Sequence, residues 1–290
     1  MALNRAHEGY EYQDLLVSSF ILQEILDEND AHFVIDRKQY KEDRIDDLVI
    51  SNVNGTFKKQ IKYSNFDSNH TLTKNDLSSD SPYNLSIDAL FEAWEKNTNS
   101  PKPQFKLCLA WNSPDESLDE ILYQVKEQYS FENYSTKVYK INIDKLWPVG
   151  QLPIASWQRF KTVVANGKIQ RDIFSEFCND FLIELEFPKF SLDLKAPGDL
   201  ERIVLDQIKK LGIGIYPNHH YTIEGFAAAL ILLVKRARSK GVTITTDTIF
   251  REFDIKKDYG SIEQVFPINP NPAFILIPET FLNVVSEMHK

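Results

Sequence analysis

Cysteine is nearly missing from this chain: there are two in 290 residues, Cys108 and Cys178. Both sit inside apolar runs, Leu107-Cys108-Leu109 and Phe177-Cys178, and read as small buried hydrophobes. A disulfide framework is excluded, and so is a zinc site, because no Cys/His spacing of the required kind exists. Long hydrophobic stretches are missing too. The longest apolar run, Ala227 to Val234, falls far short of the ~20 residues that span a bilayer. No apolar signal segment opens the chain, so the expectation is a cytoplasmic protein with no membrane contact. A P-loop is excluded at Gly167-Lys168, because Thr162 stands where its first glycine is required.

Positive charge is also scarce. The chain carries 33 Lys+Arg against 42 Asp+Glu, a net charge of −9. The deficit lies in residues 1–150, with 16 basic and 25 acidic side chains, whereas residues 151–290 are balanced at 17 and 17. Affinity for duplex DNA comes largely from neutralising phosphates, so such a chain is a poor general DNA binder that would depend on oligomerisation or a partner. Acidity does not exclude a nuclease, since metal-binding acids must be locally negative and the cation then supplies positive charge. With 42% hydrophobic and 12% aromatic residues, the chain can bury a real core, and global disorder is excluded.

Hydrophobic periodicity predicts a helix over 9–27, with Leu15, Leu16, Ser19, Phe20, Leu22 and Leu26 at helical spacing. Strands follow at 32–36, 45–51 and 57–63. Residues 64–84, polar up to Pro82, read as a long loop. Ser86 is placed to cap a helix running to Trp94. A buried strand is expected from Phe105 to Trp111, a polar helix at 116–128 and a strand from Thr136 to Ile143. This order implies a mixed sheet flanked by helices. After Gly150 the pattern becomes helical, at 169–186, 198–211, 221–239 and 246–254, with Ile173, Phe174, Phe177 and Phe181 as a stripe and Thr245 or Thr246 as the last cap. Residues 151–290 are therefore expected to form an all-helical domain for coupling or oligomerisation. The Pro267–Pro278 tail reads as a linker or edge strand.

The strands at 45–51 and 57–63 carry the chemistry. Asn54-Gly55 between them favours a tight hairpin. Centred there, the turn pairs Asp47 with Lys62 and Val49 with Gln60. Side chains alternate across a strand, so Asp47, Gln60 and Lys62 share a polar face, while Leu48, Ile50, Phe57, Ile61 and Tyr63 share a core face. An acid, an amide and a lysine so gathered suit a divalent cation beside a scissile phosphate. Asp47 supplies a hard carboxylate ligand, normally for Mg²⁺. Gln60 adds an oxygen or orients the attacking water, the Ile61 carbonyl is a further ligand, and Lys62 orients that water or neutralises the phosphate. The plain alternative is a solvated face with a cross-strand Asp47–Lys62 pair worth ~0.2–1 kcal/mol. Asp46, pointing with Leu48 toward the core face, ranks second as a ligand. Gln13 lies with Leu16, Val17 and Phe20, so the first helix carries an amide inward; unpartnered, it costs ~1–3 kcal/mol. Asp36 and Arg37 read as a surface turn, His219-His220 as a capping pair, and the basic run at Lys235, Arg236, Arg238 and Lys240 as the favourable end of a helix dipole.

Three segments carry a family resemblance: Gly9-Tyr10-Glu11-Tyr12-Gln13, Ile45-Asp46-Asp47-Leu48-Val49-Ile50, and Lys58-Lys59-Gln60-Ile61-Lys62-Tyr63-Ser64. Over residues 5–150 the chain resembles the PD-(D/E)xK, restriction-endonuclease-like and Mrr-related DNA endonuclease effector domain of bacterial antiviral defence proteins. Such effectors occur in cyclic-oligonucleotide-activated and STAND-ATPase systems, and the helical part resembles, more loosely, the segment that follows this nuclease there. The resemblance implies a restriction-endonuclease-like mixed sheet, hydrolysis of DNA, chiefly double-stranded, with Mg²⁺ or Mn²⁺, and catalytic positions at Gln13, Asp47, Gln60 and Lys62. Amides stand at 13 and 60 where the archetype has acids. The resemblance also implies self-association, or control by a sensor or ATPase partner or fused module. Two alternatives stay open: an inactive nuclease fold that docks a partner ATPase or sensor, and a nuclease directed at RNA.

Overall fold

A computed structural model describes residues 2–64, 70–78, 85–131, 134–189, 191, 196–213, 221–253 and 255. The Pro267–Pro278 tail and His219-His220 lie outside the described residues.

The first helix, α1 (Ala2–Leu26), is buried on every side from Tyr12 to Leu22. A helix buried all round must be wedged between layers. One side of α1 packs on strand β3 (Gly55–Lys62), with strands β1 (His32–Ile35) and β2 (Leu48–Asn52) sharing the same apolar core, and the other on helices α7 (Asp199–Lys210) and α8 (Ile223–Lys240). Leu16, Phe20 and Ile21 thus meet Leu48, Ile50 and Ile61 on one side and Val204, Ile208 and Leu230 on the other. Ser19 and Gln207 pair within this layer: the Ser19 hydroxyl donates to Gln207 Oε1 at 2.9 Å, and Gln207 Nε2 donates to the Ser19 carbonyl at 3.1 Å.

The opposite sheet face is covered by short helices. These are α2 (Lys74–Ser78), α3 (Ile87–Glu95), α4 (Ile143–Leu146), α5 (Gln158–Ala165) and α6 (Arg171–Asp180). Aromatic rings fill this second core; Phe91, Trp94, Phe174, Phe177 and Phe181 lie with neighbouring centroids 4.9–6.2 Å apart. Edge and tilted contacts of this kind add to the burial of each ring.

Three later strands complete a mixed sheet with β4 (Gln104–Leu109). They are β5 (Leu122–Phe131), β6 (Tyr134–Ile141) and β7 (Phe181–Leu185), and β8 (Ile244–Thr245) sits at the far edge. The eight-stranded order is β5-β6-β7-β4-β3-β2-β1-β8. β3, β4 and β7 are mutually parallel, and the other pairings are antiparallel. The last helix among the described residues, α9 (Thr246–Glu252), is capped by Thr245, whose side chain accepts from the Thr248 N–H.

Two expectations are corrected here. The polar segment at 116–128 is not a helix: a 3₁₀ turn at Glu116–Leu118 leads into β5. Nor do residues 151–255 make a separate all-helical domain. The helix expected over 169–186 ends at Asp180, and Phe181–Leu185 becomes β7, between β6 and β4 in the middle of the sheet. β8 likewise pairs with β1, His32 opposite Thr245. All five β7 residues are buried, as befits a central strand with both faces covered. No helix among the described residues is long and apolar enough to cross a membrane.

Candidate active site

The hairpin that carries Asp47 and Gln60 turns one residue earlier than Asn54-Gly55 implies, which shifts each pairing by two. Asn52 pairs with Gly55, and Leu48 pairs with Lys59. The cause is local: the Asn52 side chain accepts from the Asn54 N–H at 2.8 Å, an Asx turn, and Gly55 takes a φ of 127° that side chains rarely allow. Continued past Leu48, this register sets Gln60, not Lys62, opposite Asp47. A shift of two preserves the alternation, so the polar face still holds Asp47, Gln60 and Lys62.

β2 ends its pairing at Leu48, and the chain just before it is fastened to β3 by side chains. Asp47 Oδ2 accepts from Gln60 Nε2 and from the Ile61 backbone N–H, both at 2.7 Å. The N–H and C=O of one strand residue project to the same side, so the Ile61 carbonyl faces the same gap. The Asp46 N–H donates to Gln60 Oε1 at 3.4 Å. On the other flank, the Asp36 and Arg37 N–H groups donate to the carbonyls of Asp47 and Asp46. Asp36 adopts a φ of 47° to do so.

Asp47 is buried, 9% exposed, and burial pushes its carboxyl up to about 6. The Lys62 charge and the Ile61 N–H oppose that rise without cancelling it, while Asp46 and Asp36 add to it. Asp46 is half-buried, and its own pKa is raised by burial and by Asp43. Asp47 is thus an acid with too little positive charge around it.

A fully buried ion pair lies on the same sheet face, two residues along β3. Lys58 Nζ donates to Asp43 Oδ2 at 2.5 Å, and both side chains are inaccessible. Asp43 also accepts from the Gln39 N–H at 3.1 Å and the Ile45 N–H at 3.4 Å. The loop that delivers Asp46 and Asp47 is therefore anchored to β3 from below. Neither Asp43 nor Lys58 stands out in the sequence, where an alternating lysine reads as a solvent residue.

Gln13 is buried, 6% exposed, and its Nε2 has no hydrogen-bond partner among the described residues. The preceding residue, Tyr12, stacks on Tyr63 with centroids 4.5 Å apart, which brings this turn of α1 to the end of β3. Asp14 is buried as well and pairs with Arg238 at 2.8 Å, a contact not aligned as a hydrogen bond. Burial lifts Asp14 to about 6 against the pull of Arg238 and Lys235. Arg238 thus has a partner beyond the end of its own helix, and Arg37 Nη1 reaches the Gly241 carbonyl at 3.2 Å.

No protein-family model matches the chain, and no curated protein matches it.

The donors gathered at the end of β3 are all hard oxygens: the Asp47 carboxylate, the Gln60 amide and the Ile61 carbonyl. Among the described residues no group of three or more His, Cys, Asp or Glu is placed to hold a metal ion. Mg²⁺ needs less than that from a protein. It keeps several waters and is commonly held by one or two carboxylates together with substrate phosphates. The donor set fits that mode, and the uncompensated Asp47 is what a cation there would relieve.

Proposed function

We propose that the chain is a metal-dependent endonuclease of restriction-endonuclease-like fold, acting on DNA, and that Asp47, Gln60 and Lys62 form its active site. The observation that carries this reading is the grip on Asp47: one carboxylate oxygen takes both the Gln60 amide and the Ile61 N–H, with Lys62 next on the same face. In this reading Asp47, Gln60 Oε1 and the Ile61 carbonyl hold Mg²⁺ or Mn²⁺. When bound, the cation supplies positive charge at the scissile phosphate. Gln60 turns its amide oxygen toward that position, giving up its bond to Asp47. Lys62 orients the attacking water or offsets charge on the phosphate, and Gln13 contributes an amide from the first helix, as the resemblance implies. The resemblance of these segments to effector nucleases supports a role in antiviral defence, triggered by self-association or by a sensor or ATPase partner.

A second reading has one observation in its favour. Gln60 donates to Asp47, as an amide in a purely structural role would, and the site has one acid where the archetype has more. That describes an inactive nuclease fold docking a partner. Incubating the purified chain, and the chain fused to a strong dimeriser, with plasmid DNA and RNA in Mg²⁺ or Mn²⁺ separates the two. Asp47→Ala and Lys62→Ala are expected to abolish cleavage while leaving the fold intact. Undiminished degradation by Asp47→Ala would remove the nuclease from this site.

A further inference from the structure

On the sheet face away from Asp47, two lysines stand side by side. Lys59 on β3 is in register with Lys106 on the parallel strand β4. Paired residues on neighbouring strands project to one face, so both side chains lie on the same face of the sheet. The residues are 7% and 6% exposed. Among the described residues neither ammonium has a hydrogen bond or an ion pair. Each lies instead over a ring: Lys59 Nζ is 4.2 Å from the centroid of Phe20, and Lys106 Nζ is 5.2 Å from that of Phe57. A ring face offsets part of a cation's lost hydration but takes up no N–H.

The surrounding residues do not balance the pair. Burial, and then the charge of Lys59, push Lys106 down to about 8, and Glu184 opposes them. Glu184 is 2% exposed and already accepts from the Thr136 hydroxyl at 2.6 Å. Leu182 and Val138 flank it, buried yet belonging to neither apolar cluster. The contrast with Lys58 is direct. That buried ammonium points to the other face and is matched by Asp43. Two adjacent, mostly buried lysines whose ammoniums have no protein partner among the described residues are arranged for an anion that arrives from outside.

We propose that Lys59 and Lys106 form a binding site for a small phosphate-bearing ligand on the sheet face opposite Asp47. The two ammoniums supply the phosphate contacts. Thr136 and Glu184 supply an acceptor edge for a hydroxyl or amino group, and the Phe57 ring an apolar wall. Little of either lysine is accessible, which favours a small ligand over a polymer strand. The proposal stands whether or not Asp47 is catalytic.

The test uses the full chain in EDTA at fixed ionic strength. Inorganic phosphate, pyrophosphate and ATP are titrated at millimolar concentration by thermal shift and calorimetry, with sodium chloride as control. Saturable binding of at least one is expected, weakened more than about tenfold by Lys106→Met or Lys59→Met, the scale of a lost charge-assisted hydrogen bond. Lys106→Met removes a desolvated charge, so its ligand-free Tm should equal or exceed that of the parent. It carries the test even if Lys59→Met fails to fold. Glu184→Gln should bind as well or more tightly. Binding of phosphate alone identifies an inorganic anion and binding of ATP alone a nucleotide; either supports the site. Absence of saturable binding, or binding unchanged in Lys106→Met, overturns it. Tight oligonucleotide binding lost in Lys106→Met would overturn the small-ligand assignment in favour of a strand.

Discussion

Replacing Asp47 with Asn should stabilise the protein, and only at pH values where the native carboxylate is charged. The folded-state pKa of Asp47 is raised from 3.8 to about 6, mainly by burial. Below pH 3.8 the acid is neutral in both folded and unfolded chains and makes no difference. Between there and about 6 the unfolded chain ionises first, so the folded state loses ground; above about 6 the full cost is present. A shift of about two units at ~1.4 kcal/mol each amounts to about 3 kcal/mol. Asparagine fits the same space. Its Oδ1 can take the place of Asp47 Oδ2, which accepts from both Gln60 and Ile61, so no bond is forfeited. In domains of 150–250 residues 1 kcal/mol moves Tm by about 2–4 °C, so Asp47→Asn should melt roughly 6–12 °C higher at pH 8 and near the parent temperature at pH 4. Asp14 also sits near 6, but it is common to both proteins and cancels in the difference. Thermal melts of both proteins from pH 4 to 8 measure the effect. Adding Mg²⁺ at pH 8 should raise the parent and leave the variant unmoved. A gap that is constant with pH, or a less stable Asp47→Asn protein at pH 8, would refute the reasoning.

Gln60→Glu places a second carboxylate beside Asp47; it is expected to tighten Mg²⁺ binding in calorimetry and to keep or raise cleavage, whereas Gln60→Ala should lose both. Asp43→Ala leaves the Lys58 ammonium buried and alone, at a cost of about 3–5 kcal/mol in urea unfolding. Adding Lys58→Met to that variant should recover at least half of the loss, and a double variant as unstable as the single one would show that Asp43 acts through its bonds to Gln39 and Ile45 instead.

How far the sequence could be read depended on which signal each element used. The two faces of the β2–β3 hairpin were legible because alternation has a period of two, which survives the register error. The register itself was misread because Asn54-Gly55 is a strong turn dipeptide, and the Asn52 side chain, which starts the turn, competes only once the chain is folded. Gln13 was legible as an inward amide from its helical face. Asp14 beside it was not, because its partner Arg238 is far along the chain. β7 was invisible for another reason: Phe181 continues the spacing of Phe174 and Phe177, and a central parallel strand carries no polar alternation to announce itself. The Asp43–Lys58 pair escaped because a buried lysine looks the same in sequence as an exposed one.

The place of β7 and β8 in the sheet also governs when the molecule can exist. Until residue 185 has left the ribosome, β4 has no neighbour on one edge, and until residue 245 has emerged, β1 lacks its outer partner. At synthesis rates of about 5–20 residues per second, the Asp47 hairpin waits on the order of ten seconds for the strand that closes the sheet behind it. A chain stopped at residue 150 therefore ends with open strand edges and an uncovered α1, and is expected to bind hydrophobic dyes, aggregate and show no cooperative melt. A fragment 1–150 that melts cooperatively would contradict this. If the site does cut DNA, its parts are laid down early and its assembly comes late, so a cell making this protein meets no active fragment on the way.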